Sequence, residues 1–516
     1  MAAVALVTSV GLLGAACSEE KPPNLATPTF GGSTTTKPPK PYIAKYATQG
    51  ACTVRGIDDP ALQNEVECGT LTVPEDRQNP LEKNVELQVV VIKSTNPDKK
   101  PDPVMYLEGG PGGSALATLE LWAIPPSPFL ADRDIVIMDQ RGTGYSSPRF
   151  NCNYELTTIG EDRVTLNAGE YLAEQVNAVK ECFSRLDAAH GLENFSTIDA
   201  AADIEDLRKQ LGYPQLNVFG VSYGTRLALQ YMNDYPASVR SAVLDSNYPF
   251  EPHLVDQGPA NAWRALKAVF DSCASIPSCD SKYPDLQGAL TQVIEQLDAE
   301  PITFLTQKLN NDVVEYQFTG QDYVDQLFSY LYDSGAASAI PEALTVSKSD
   351  PEAGLMILQN AVGLSINATD DVERRPSFSN GLFYLLDCTE EVPFDDKATM
   401  DALSADIPEP MRTKFVTDRA TIFDICSAWN LPSRELAKTS VEIPSLVLAG
   451  TFDPITPPAW SQLTASRLPN STYVEVEGSG HGVFFSGDCA RDLVVAFVND
   501  PASAAGKSCP PVTNLG

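Results

Sequence analysis

The stretch Asn217-Val-Phe-Gly-Val-Ser222-Tyr-Gly-Thr-Arg226 decides how this chain folds. An apolar run, a Gly-x-Ser-x-Gly turn and an amphipathic segment follow one another, which reads as strand, sharp turn and helix. At such a turn the serine is held at strained backbone angles with its hydroxyl exposed, so the positions two before and two after it must lack colliding side chains. Gly220 and Gly224 occupy them. Leu216, Val218 and Phe219 suit a buried strand, while Leu227 with Tyr231 and Ala228 with Met232 are spaced as neighbours on a helix. A glycine-flanked serine alone is an ordinary turn; these flanks make it a nucleophile elbow.

Upstream, the apolar run Val104–Leu107 reads as a strand and leads into Glu108-Gly-Gly-Pro-Gly-Gly-Ser114. Four glycines let this backbone approach a ligand and offer its N–H groups. A glycine loop between a strand and a serine elbow is where this architecture builds half of its oxyanion hole, so the expected donors are the N–H groups of Gly110 and of Tyr223. Residues 84–94, with Val85, Leu87, Val89 and Val91 alternating with Glu86 and Gln88, read as another strand, as do 134–139 and 241–245. Residues 196–212 read as a helix: Ser196-Thr-Ile-Asp199 has the form of a capping box, Ile204, Leu207 and Leu211 share a face, and Gly212 stops it.

The strand at 134–139 runs into Asp139-Gln-Arg-Gly-Thr-Gly-Tyr-Ser146. This stretch, the glycine loop and Gly220-Val-Ser-Tyr-Gly-Thr225 together resemble the proline iminopeptidase and tripeptidyl aminopeptidase family of α/β-hydrolases. The resemblance is closest to its secreted actinobacterial branch with a tripeptidyl-aminopeptidase-like C-terminal region. Proline iminopeptidases usually carry His where Glu108 stands; the departure favours the secreted branch over strict proline specificity, and Glu108 counts among the substrate-binding candidates. The expected fold is therefore α/β: a mostly parallel central sheet flanked by helices, with a large, mainly helical lid insertion.

The strand and helix alternation lapses from about residue 250 to 428, where 260–272, 285–299 and 321–334 show helical periodicity. This is read as the lid; a separate binding domain is the alternative. Strands resume at 444–450 and 472–476. The domain plan is a signal peptide over 1–17, a tether over 18–41, a first core part over 42–250, the lid over 251–428 and a C-terminal core part over 429–516.

A serine hydroxyl needs an imidazole to take its proton and a carboxylate to orient that imidazole. The chain has three histidines. In α/β-hydrolases the order is serine, acid, histidine, which disfavours His190. His253 stands eight residues after Asp245, leaving no room for a strand between acid and base. His481, in Gly478-Ser-Gly-His481-Gly, remains. Asp453 follows the strand at 444–450 and Asp245 ends the strand at 241–245; the resemblance implies Asp453, because the family's Gly-x-x-Asp-x-x-Thr-Pro pattern is matched by Gly450-Thr-Phe-Asp453-Pro-Ile-Thr456-Pro457. Thr456 then hydrogen-bonds within this loop or caps the next helix, and counts among the substrate-binding candidates. An aminopeptidase must also meet its substrate's ammonium with a carboxylate. Glu390 and Glu391, beside Cys388, are the candidates; the alternative is an exposed acidic pair.

At 516 residues the chain exceeds one small domain. Its net charge of −32 argues against nucleic-acid binding and fits solubility outside the cell. Residues 2–16 are apolar and end in small residues before Cys17, which resembles a lipoprotein signal with Cys17 lipidated; an ordinary signal peptide is the alternative. The tether is rich in Pro, Thr and Gly. The other ten cysteines, without metal-type C-x-x-C spacing, suit disulfides in an exported protein. Their spacing in couples suggests Cys52–Cys68, Cys152–Cys182, Cys273–Cys279, Cys388–Cys426 and Cys489–Cys509. No metal or cofactor is expected, and the chain is expected to be a monomer, attached to a membrane only through its N-terminal lipid.

The first functional reading is a cell-envelope serine aminopeptidase releasing short peptides, tripeptides above all, from free N-termini. The second is a carboxylesterase or lipase-like enzyme on the same machinery. A third, a non-catalytic binding protein, would require a lost triad member, and none is lost.

Overall fold

Short runs rich in Val, Ile and Leu, apolar on both faces, form the centre of the molecule. The computed structural model describes residues 42–49, 52, 54, 66–123, 127–152, 168–307, 313–362, 377–427, 429, 431–512 and 515. The apolar segment with Cys17 and the tether expected over 18–41 lie outside them. Nine strands make one sheet in the order β1-β2-β3-β5-β4-β6-β7-β10-β11. Here β1 is Lys45–Thr48, β2 Val66–Pro74, β3 Asn84–Ile92, β4 Val104–Leu107, β5 Ile135–Met138, β6 Leu216–Val221, β7 Val239–Asp245, β10 Ser445–Gly450 and β11 Ser471–Val476. The first three meet their neighbours antiparallel, and all pairings from β5 to β11 are parallel. Every residue of β4, β5, β6 and β10 is buried, as expected of strands covered on both faces.

The order places the site. From β4 the chain moves outward to β5, and from β6 outward the other way to β7, while β4 and β6 pair with each other in the register Leu107↔Gly220. Loops that leave two adjacent strands in opposite directions open a crevice at the carboxyl ends, the usual ligand position in such sheets. The glycine loop and the serine elbow are the two loops at that point.

The helix expected over 196–212 is Thr197–Leu211, capped by the Ser196 hydroxyl and ended by Gly212 at φ 74°. Strands β1 and β2 and the helices Ala168–Ala189 and Asp488–Asn499 were not anticipated. Between β7 and β10 the described residues form a mainly helical insertion, which also holds an antiparallel hairpin, β8 (Ile302–Gln307) with β9 (Val313–Phe318), that the three helical periodicities read there did not include. An isolated two-stranded hairpin leaves no long apolar run to detect: Leu305 and Val313 face solvent. The insertion has its own apolar cluster, built on Leu266, Val293, Tyr323 and Ile340 and closed by Phe452 from the loop after β10. Leu382, Leu385, Cys388 and Ile425, though inside the insertion, pack instead with the sheet's core. The same five cysteine pairs anticipated above are joined. Such bonds persist outside reducing compartments and indicate an extracellular or exported protein. No described helix is long and apolar enough to cross a membrane.

Candidate active site

Ser222 sits between β6 and the helix Tyr223–Asp234 at φ 57°, ψ −127°, the strained elbow conformation. Its glycine neighbours are required by contact distances. A Cβ on Gly224 would lie 2.0 Å from the Leu107 carbonyl oxygen, and one on Gly220 2.4 Å from the Gly224 carbonyl oxygen. The elbow thus presses against the end of β4. Tyr223 is the first residue of its helix, so its N–H has no acceptor within the helix.

His481 lies in the loop after β11. Its Nδ1 is 2.8 Å from Asp453 Oδ2, and the ring is nearly buried. Asp453 is completely buried, and its carboxylate also accepts from Thr456 Oγ1 at 2.7 Å and from the N–H groups of Thr456 and Ile455 at 2.8 and 2.9 Å. Burial alone would raise the Asp453 pKa, but the His481 charge and these donors hold it below the usual carboxylate range. For His481, burial favours the neutral ring, and the Asp453 charge and hydrogen bond, with Asp245 and Glu108 adding to them, outweigh this and raise its pKa. Thr456 therefore serves the acid, not a substrate.

Asp245, the rival acid, has a different task. Its carboxylate accepts the N–H groups of Val483 and Phe484 at 2.8 Å each, and the neighbouring Ser246 hydroxyl accepts Gly482 N–H at 2.8 Å. It fixes the turn that carries His481 and does not orient the ring. Burial pushes its pKa up to about 6.

The glycine loop faces the serine: a Cβ on Gly109 would lie 2.9 Å from Ser222 Cβ. Gly110, at φ 114°, turns the chain in a conformation that only glycine adopts easily. Asp139, fully buried, holds the loop, accepting from the Ser114 hydroxyl at 2.9 Å, from Leu116 N–H at 3.0 Å and from Tyr145 N–H at 2.7 Å. Gln140 Nε2 donates to the Glu108 carbonyl at 3.1 Å, and Arg141 grips Asp203 through two bonds of 2.6 and 2.7 Å. The Asp-Gln-Arg-Gly stretch, legible as a motif, is thus a support of the glycine loop, a role the sequence did not disclose.

The insertion closes on this site. Tyr332 accepts the His481 N–H at its carbonyl, 3.0 Å, and sets its ring 4.9 Å from the imidazole. Residues 377–379 pair with the glycine loop, Ser114 N–H to Ser377 carbonyl at 3.0 Å and Ser379 N–H to Gly112 carbonyl at 2.8 Å. Phe378, partly exposed, stands beside Gly110. No periodicity or motif pointed to Tyr332 or Phe378.

Glu390 and Glu391 correct the expectation of an amine pair. Glu390 is buried and accepts Thr197 N–H at 3.0 Å and the Thr197 hydroxyl at 2.5 Å, capping the helix Thr197–Leu211. Glu391 forms a buried ion pair with Arg226. Both carboxylates are engaged across the fold, so neither is free for an ammonium, nor are they an exposed pair. Glu108 does lie by the site, but Tyr106 Oη and Gly109 N–H donate to it at 2.8 Å each and pin it, and burial raises its pKa. His190 pairs with Glu75 at 2.8 Å, away from the site.

Comparisons with known proteins agree with this geometry. The profile described as alpha/beta hydrolase fold matches residues 102–272, and that described as TAP-like protein matches 411–509. The first contains Ser222 and the glycine loop, the second Asp453 and His481. YuaR of Escherichia coli is 24% identical over 477 residues, covering 86% of this chain and 88% of the relative. Serine protease Hip1 of Mycobacterium tuberculosis is 24% identical over 470 residues, covering 86% and 87%. Tripeptidyl aminopeptidase of Streptomyces coelicolor is 30% identical over 200 residues, 36% of each chain. With the nucleophile elbow at a switch point of a mostly parallel sheet and these matches on both sides of the insertion, the chain belongs to the α/β-hydrolases with a TAP-like C-terminal region, and is a serine hydrolase.

Proposed function

We propose that this chain is an exported serine peptidase that releases short peptides, tripeptides above all, from free N-termini. The observation that carries it is the buried His481–Asp453 pair at the same sheet edge as Ser222, roofed by Tyr332 of the insertion. In the proposed reaction His481 Nε2 removes the Ser222 proton and the serine oxygen attacks the scissile carbonyl. The oxyanion is stabilised by the N–H groups of Tyr223 and Gly110, each worth about 3 kcal/mol of barrier. His481 then protonates the leaving amine, and water, activated by the same imidazole, hydrolyses the acyl-enzyme. Residues from both sides of the insertion build the site; a relative named serine protease aligns over 86% of the chain, and one named tripeptidyl aminopeptidase over 36% of it.

One observation favours the second reading, an esterase of short acyl chains: the two acidic side chains expected to meet an ammonium are engaged elsewhere, and aromatic rings stand at the site. Hydrolysis of a free-amine tripeptide anilide, its N-acetylated form and a short-chain phenyl ester, with Ser222→Ala as control, separates the two. Much faster cleavage of the free-amine peptide supports the aminopeptidase; turnover of the ester alone overturns it.

A further inference from the structure

At the entrance to the insertion a second cluster of side chains lacks the partners its burial demands. His253 is the N-cap of the helix Leu254–Ser275, Asp256 lies in that helix's first turn, and Asp395 follows the turn Val392–Phe394. His253 Nδ1 is 3.5 Å from Asp395 Oδ1 and 3.6 Å from Asp256 Oδ2, and one ligand atom from each residue falls within 4.8 Å of the others. These separations are too long for good hydrogen bonds. They suit the edge of a tetrahedron, since donors about 2.1 Å from a common ion lie about 3.4 Å apart.

An independent observation points to a cation-binding role. The Asp395 side chain is 0% exposed, yet neither of its oxygens has a hydrogen-bond partner, and Asp256 Oδ1, in a residue 4% exposed, has none either. The N–H groups of Val255 and Asp256 face the Asp395 carboxylate without completing hydrogen-bond geometry. Three buried carboxylate oxygens without hydrogen-bond donors are costly. The nearby Arg226 guanidinium does not relieve them, because it pairs with Glu391. His253, 39% exposed, leaves one side open for an ion to enter and for water to complete its shell.

We propose that His253, Asp256 and Asp395 bind a divalent ion of the zinc class, which clamps the start of the insertion to the segment after Val392–Phe394. One imidazole and two carboxylates form a donor set that zinc accepts, with water in the remaining position. The clamp is structural and independent of the chemistry at Ser222.

The test uses the full chain, stripped with EDTA, dialysed metal-free and titrated with zinc chloride by calorimetry, with thermal melting alongside. We expect one zinc per chain and a melting temperature that rises with zinc and falls back with excess EDTA. His253→Ala should weaken this binding at least 100-fold and abolish the zinc-dependent shift, as should Asp395→Asn, whereas His481→Ala should leave both unchanged. His253→Ala decides the matter, because its half-exposed side chain can be removed without opening the core. Absence of saturable zinc binding, an unchanged titration in His253→Ala, or loss of binding in His481→Ala would each overturn the proposal.

Discussion

Replacing Asp453 by asparagine tests the assignment of the acid. The carboxylate accepts four hydrogen bonds, from His481 Nδ1, the Thr456 hydroxyl and the N–H groups of Thr456 and Ile455. An asparagine that keeps its oxygen on the two backbone N–H groups must turn its NH2 toward His481 Nδ1. The imidazole then carries its proton on Nε2 and cannot take one from Ser222. The expected loss is about 10⁴-fold in kcat/KM, or about 5.4 kcal/mol at 1.36 kcal/mol per decade. The pH profile must move as well. Activity requires the neutral imidazole, and His481 is raised above its ordinary value, so the acid limb of the native enzyme lies above about pH 6.5. Without the Asp453 charge the main cause of that rise is gone while burial still favours the neutral ring, so the residual limb shifts to lower pH. Asp245→Asn is the matched control: it loses one of two acceptors for Val483 and Phe484 and should cost about 1–3 kcal/mol of stability with a far smaller loss of kcat/KM. The assay is anilide hydrolysis from pH 5 to 9 beside urea denaturation. A 10⁴-fold loss in Asp245→Asn with Asp453→Asn within tenfold of native, or an acid limb that rises in Asp453→Asn, would refute the reasoning.

Further outcomes are expected. Gly224→Ala should abolish folding or lower the melting temperature sharply, because its Cβ would stand 2.0 Å from the rigid Leu107 carbonyl; soluble, active protein would show that the elbow can relax. Tyr332→Ala should lower kcat/KM roughly tenfold with little change in denaturation midpoint, since it removes the ring 4.9 Å from His481 but keeps the backbone bond. Removing Cys388–Cys426, 38 residues apart, should cost about 4 kcal/mol against about 2 kcal/mol for Cys273–Cys279, 6 apart, in denaturant titrations; the reverse order would show that chain entropy is not what these bonds control. Glu390→Gln should cost about 1–3 kcal/mol of stability through Thr197 and leave the free-amine to N-acetyl rate ratio unchanged, and a collapse of that ratio would return Glu390 to substrate binding.

Much of the site was legible because its requirements are local. The elbow needs glycines two residues either side of the nucleophile, and three histidines left His481 by elimination. The roles of Asp245, Glu390 and Tyr332 were not legible, because each is defined by a partner far along the chain. Glu390 meets Thr197 across 193 residues and Asp245 meets Val483 across 238. A carboxylate in a string of letters carries no sign of which N–H it will cap.

By itself the sequence determined the parallel-strand core and the strand, turn and helix around Ser222, and it pointed to Ser222 and His481 as nucleophile and base, since hydrophobic period, turn chemistry and residue scarcity are properties of short stretches. The tertiary structure decided which aspartate faces the imidazole: Asp245 ends β7, and Leu448 of β10 pairs beside it in register, so both carboxylates start from adjacent strands at one sheet edge. The paths of the two following loops then separate them, because Asp453 turns to the ring while Asp245 stays beneath the backbone of the loop that carries it.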